Sequence, residues 1–143
     1  MLLFPVAVLV VIILAAITVD SSIVFLGQRE VANSVAAAAN DAATIGVGNG
    51  AFYRAGAVEL DPGTAEQLAI ERVRAALDTE RFRDLRVDVQ VVGARGGCPP
   101  SVRVHASATV AYVFARGVPG AAPRATVEAV AVAAPTGSSA ARC

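Results

Sequence analysis

The sequence has no tryptophan and no lysine, and only one histidine, one methionine and two cysteines in 143 residues. All twelve basic residues are therefore arginine, and twelve acidic residues balance them to a formal net charge of zero. No basic patch of the kind that follows phosphates is present, which argues against nucleic acid as a partner. No block of like charge marks an acidic or basic tail. Five phenylalanines and two tyrosines leave few large side chains. The core of the folded part is expected to be thin, filled by valine, leucine and alanine, and marginally stable outside an assembly.

Material for chemistry is equally scarce. Cys98 and Cys143 lack the spacing of a zinc ligand set. His105 has no second histidine or acid cluster near it in sequence, so a metal site is not expected. Ser107 falls on the same strand face as His105, but no Gly-rich nucleophile elbow accompanies it. Nor is an orienting carboxylate marked for a Ser107–His105 or Cys98–His105 pair. The segment Gly46-Val47-Gly48-Asn49-Gly50 spells G-x-G-x-G. A dinucleotide site needs a strand before that motif and a helix after it, and here a helix comes first. The expectation is a chain with no catalytic residues, no cofactor, no metal and no small-molecule substrate.

What is abundant is apolar sequence at the start. Leu2 to Val19 reads LLFPVAVLVVIILAAITV, without a charge, and apolar character resumes at Ile23–Leu26 after Asp20-Ser21-Ser22. A transmembrane helix needs about 20 such residues. In lipid the backbone must satisfy itself, so the run is expected to be helical. It has no polar face of the kind a soluble helix shows. A signal peptide would carry a basic flank, a shorter apolar core and a small-residue cleavage site. Only Met1 precedes this run, and the nearest small-residue cluster, Val35–Ala39, lies far beyond it. A retained anchor fits better. Orientation is normally set by flanking Lys and Arg. One explanation of their absence is a gene start upstream of Met1, which N-terminal sequencing of the native protein would test. Asp20 is expected to mark the membrane boundary. The competing role is a pair with a basic group of a neighbouring subunit inside a helical bundle.

Beyond Asp20 the pattern becomes amphipathic. Val24, Val31, Val35, Ala38, Ala42 and Ile45 recur at helical spacing, while Arg29, Asn33 and Asn40 fall on another face. Only Gly27 interrupts, at about 1 kcal/mol relative to alanine. One helix from about residue 2 to residue 45 would be about 65 Å long. Its first half would be an anchor and its second a stalk. The stalk's apolar stripe must meet the chain's own sheet or neighbouring copies. Val24, Val31, Val35, Ala38 and Ala42 are the candidate packing and assembly residues.

Residues 47–60 read as a linker containing Phe52 and Tyr53. Asp61 or Thr64 caps a second helix, with Pro62 at its first position and Ala65, Leu68, Ala69, Val73, Ala76 and Leu77 on its apolar face. It is expected to end near Asp78–Phe82. Three strands follow by alternation: Leu85 to Val91, Val102 to Phe114, and Ala125 to Ala133. Sequential strands with such loops pair as an antiparallel meander. The fold class is α+β. Residues 61–134 are expected to form a small α+β domain and 135–143 a flexible tail. Cys98 and Cys143 can close a loop of about 45 residues in an oxidising compartment, worth about 4 kcal/mol in the chain-entropy account. Two free thiols are the alternative.

Taken together, Leu3-Phe4-Pro5, Val19-Asp20, Gln28-Arg29-Glu30 and Ala39-Asn40-Asp41-Ala42-Ala43 occur in a characteristic order. Residues 1–46 thereby resemble the N-terminal module of TadE/TadG-like proteins of the bacterial Tad (Flp) pilus-assembly system. That resemblance implies a minor pilin or pseudopilin, similar to type IV pilins, whose helix both anchors the subunit and packs against others. It implies a single-pass protein of the cytoplasmic (inner) membrane, its C-terminal domain outside the cytoplasm or displayed on a cell-surface pilus of a secretion-type machine. Its partners would be the membrane, other pilin or assembly subunits, and further copies of itself. The prepilin-peptidase site of many such proteins is not visible, which fits either that upstream start or an unprocessed, permanently anchored member and leaves processing open. Small residues at Ala15, Ala16 and Ala36–Ala39 would allow close helix approach. The runner-up is a solitary membrane-anchored binding or envelope-scaffold protein that joins no filament.

Overall fold

Alanine, leucine and valine dominate the first 45 residues, and no proline follows Pro5 there. In the computed structural model, which describes residues 3–46, 60–77, 80–95 and 98–135, they form one unbroken helix, α1, Leu3–Ile45. Its polar hydroxyls are absorbed locally. Thr18, Ser22 and Thr44 each donate to the carbonyl four residues back, at 2.8 Å. Such back-bonding keeps a hydroxyl satisfied inside a helix.

The second helix, α2, spans Pro62–Ala76. Asp61 caps it, accepting from the Gly63 N–H and from the Thr64 hydroxyl, the latter at 2.6 Å. Thr64 thus supports the cap rather than competing for it. The helix ends earlier than its pattern suggests, because Leu77 turns into the core in an extended conformation.

Three strands follow, β1 (Phe82–Val92), β2 (Ser101–Ala111) and β3 (Arg124–Ala133), paired antiparallel in the order β1-β2-β3. The meander is as expected. Val91 faces Val102, Val89 faces Val104, and Ala108 faces Val127 across the ladders. A bulge lies between Arg83 and Arg86, where Asp84 takes a positive φ of 54°. The extra residue puts both Phe82 and Leu85 on the core side although three positions separate them. The Thr109 hydroxyl meets the Asp84 carboxylate at 2.9 Å and steadies the bulge.

The molecule has two layers. The second half of α1 and all of α2 cover one sheet face, and Arg86, Asp88, Gln90 and Arg103 stand exposed on the other. The helices run in opposite directions. Ala65, early in α2, meets Gly46; Arg72 pairs with Asp41 at 3.2 Å; and Arg81, past the end of α2, reaches Glu30 at 2.9 Å. The largest fully buried side chains are all valines: Val31, Val35, Val73, Val102, Val104, Val110 and Val127. Short side chains on both layers let helix and sheet approach closely. A Cβ on Gly27 would sit 3.0 Å from Val110 Cγ2, so the glycine that weakens the helix also admits the sheet.

Three expectations need correction. Ile45, assigned to the apolar stripe, is 57% exposed. Ala76, assigned to the apolar face of the second helix, is exposed as well. Tyr112 and Phe114, assigned to the second strand, lie outside it, because β2 ends at Ala111 and the chain turns through a bend into a single 3-10 turn, Ala115–Gly117. Most of the 47–60 linker, including Gly48, Gly50, Phe52 and Tyr53, lies outside the described residues, as do Cys143 and the tail beyond Pro135.

Candidate functional site

α1 has two environments along one rod. From Phe4 to Val19 every side chain is exposed except Ala16, which is half-buried. By length and composition α1 as a whole is long and apolar enough to cross a membrane, and this half is its uncharged part. The other half is sunk into the head. Val31, Val35, Ala38 and Ala42 have no exposed surface, and half-buried Val24 packs against the same core. The stripe's partner is thus the chain's own sheet and α2. Side chains fully covered in this way cannot also touch a neighbouring copy while the head is folded. Val31, Val35, Ala38 and Ala42 thus pack inside this chain, while Val24 keeps part of its surface at the cleft beside Asp20.

The two halves meet at Asp20, the one buried charged residue among the described residues. Its carboxylate accepts three successive backbone N–H groups from the β2–β3 loop. Oδ1 takes Val113 at 2.8 Å and Phe114 at 3.1 Å, and Oδ2 takes Ala115 at 2.8 Å. A strand points successive N–H groups to opposite sides. Aiming three in a row at one carboxylate requires the chain to leave the sheet, which explains the early end of β2. Burial by itself would raise the Asp20 carboxyl. The bonds from Phe114, Ala115 and Val113 outweigh it and hold the group below its usual range. Asp20 needs no basic partner from another subunit, because its own chain supplies the donors. Ile17, Asp20, Val24, Phe25, Gln28 and Tyr112 border a shallow cleft of about 580 Å³ between helix and loop.

Two turns further along, Gln28 clamps the open edge of β3. Its side-chain amide donates to the Glu128 carbonyl and accepts from the Glu128 N–H at 3.2 Å. One side chain therefore stands in for one residue of a missing fourth strand. At Glu128 the edge is thereby closed to pairing with another chain.

The residues considered for chemistry fall on the outer sheet face. His105 lies 3.9 Å from the exposed Glu128 carboxylate, and Ser107 sits opposite Glu128 in the ladder. Among the described residues no group of three or more His, Cys, Asp or Glu side chains is arranged to hold a metal ion. Cys98 is disulfide-bonded; Cys143, the only other cysteine in the sequence, is outside the described residues.

The sequence singled out Asp20 but not what it binds, and it showed Gln28 only as part of the Gln28-Arg29-Glu30 motif, not as a clamp on β3. Both act on backbone groups more than 90 residues away. Backbone donors leave no mark in sequence. A polar residue one or two turns beyond an apolar run is the only available signal. No family model, no characterised protein and no solved structure matches this chain.

Proposed function

We propose that this chain is a single-pass subunit of a Tad (Flp)-like pilus-assembly system, a minor pilin or pseudopilin in character. Phe4–Val19 would hold it in the cytoplasmic membrane, with the α+β head outside the cytoplasm. One observation carries the reading: a continuous helix that is bare and apolar on all sides for half its length and embedded in a small head for the rest. The bare half is then free to sit in lipid or to pack against equivalent helices. The order of features in residues 1–46, similar to TadE/TadG-like proteins, supports the same reading. Helices in lipid associate through close packing at small residues, and Ala15 and Ala16 lie in this half. No catalytic role is assigned.

The covered stripe favours a second reading, because it removes Val31, Val35, Ala38 and Ala42 as an assembly surface. A solitary anchored binding or scaffold protein would need no more than the structure already provides.

A photo-crosslinking side chain placed singly in native membranes separates the two. Leu9, Ile13 and Ala16 share one side of α1, and Val11 and Leu14 lie on the opposite side at 100° per residue. Adducts to a second copy or to another pilin subunit from one side only are the expected result. Adducts to lipid alone at all five positions would leave the solitary anchor.

A further inference from the structure

We propose that the β2–β3 loop, residues 112–123, is a second membrane contact. It lies in the headgroup layer where α1 leaves the bilayer, with Val113, Phe114 and Val118 in the acyl boundary and Arg116 among anionic headgroups. The proposal rests on Phe4–Val19 being the span.

The depth of the loop follows from Asp20. That residue directly follows the uncharged run, and the N–H groups of Val113, Phe114 and Ala115 lie within 3.1 Å of its carboxylate. The loop is therefore pinned at the level where the apolar run ends. At that level it exposes Val113 at 48%, Phe114 at 49% and Val118 at 56%. Among globular surfaces such a cluster needs a cover. The adjoining bilayer provides one without any further partner.

The loop's backbone suits a poorly hydrated layer. Besides the three N–H groups given to Asp20, Gly117 donates to Phe114, Val118 to Ala115 and Ala121 to Val118, while Pro119 and Pro123 have no N–H. Few N–H donors are left needing water, which lowers the cost of placing this backbone in the headgroup layer. Charge agrees as well. Between Ala111 and Arg124 the sequence carries arginine and no acidic residue, and cationic side chains near a leaflet are drawn to anionic lipids. Phe25, exposed at 66%, stands about 7.5 Å above Asp20 along α1, at the outer edge of a headgroup layer of roughly 5–8 Å.

The chain has no tryptophan, so a single introduced one reports depth cleanly. The full chain would be reconstituted in phosphatidylglycerol-containing vesicles whose lipids carry bromine either near the headgroup or deep in the acyl chain. Three variants suffice: Ile13→Trp in the span, Phe114→Trp in the loop, and Val130→Trp on the outer sheet face. Val118→Trp serves as a second loop reporter should Phe114→Trp fold poorly. The expected result is deep quenching of Ile13→Trp, predominantly shallow quenching of the loop reporter, and none of Val130→Trp. If Ile13→Trp is quenched and the loop reporter behaves like Val130→Trp, the loop proposal is overturned and the span stands. If Ile13→Trp is not quenched, the span reading fails and the loop proposal falls with it. A loop reporter shielded only at high protein-to-lipid ratio would mark a protein contact and also overturn the proposal.

Discussion

Asp20 concentrates, in one side chain, the connection between an apolar rod and a folded head. Oδ1 holds two N–H groups and Oδ2 holds one. In Asp20→Asn one of those oxygens becomes an NH2 facing an N–H, donor against donor. The variant is expected to release the loop and quicken hydrogen exchange at Val113–Ala115 while leaving the ladder amides of β2 protected. Acid should act in the same direction. The Asp20 carboxyl is held below 3.8 in the folded state. Its contribution is fully present above that value and is lost as pH falls through the lower folded one. The amide shifts of residues 113–115 should move together on that titration and stay flat in Asp20→Asn. Gly46 is a second sensitive position. A Cβ there would lie 2.4 Å from the Ala42 carbonyl oxygen and 2.9 Å from Ala65 Cβ. Gly46→Ala should destabilise by about 1–3 kcal/mol, as overpacking does, measured by denaturant unfolding in detergent.

For the helix as an element, truncation should read differently on its two halves. Val35→Ala removes two buried methyl groups from a core of valines and alanines and is expected to cost about 2 kcal/mol. Leu9→Ala, on the bare half, should leave head stability unchanged. Gln28→Ala strips the clamp from β3 and leaves the Glu128 N–H and carbonyl without their partner. A loss of about 1 kcal/mol and faster exchange at Glu128 are expected. Failure of Glu128 exchange to change would mean that the clamp contributes nothing to the edge.

The whole molecule is a small head on a long rod, and its stability margin is narrow. Among the described residues the core is mostly valine and alanine, with Leu60, Leu77 and Phe82 as its larger buried side chains, and such a core gains little per residue from burial. The Cys98 disulfide should therefore matter. Reduction is expected to lower unfolding stability by up to about 4 kcal/mol on the chain-entropy account. Insertion of the apolar half should be untouched. Comparing denaturant midpoints with and without reductant would check it, and equal midpoints would show that the crosslink does not constrain the unfolded chain.

Much of this architecture is written in local patterns. The apolar run, the switch to an amphipathic helix past Asp20, the Asp61–Pro62 cap and the three alternating strands are each set by residues within a few positions of one another. Local periodicity and capping chemistry are enough to specify such elements. Register pairs such as Ala108 with Val127, the bulge at Asp84, the fate of the α1 stripe and the capture of residues 113–115 by Asp20 are not local. They depend on which surfaces meet. The stripe pattern was equally consistent with an internal sheet or a neighbouring helix, since either hides the same methyl groups. The tertiary structure decided between them because Gly27 and the short valine and alanine side chains of β2 and β3 let the chain's own sheet, with α2, come close enough to cover Val31, Val35, Ala38 and Ala42.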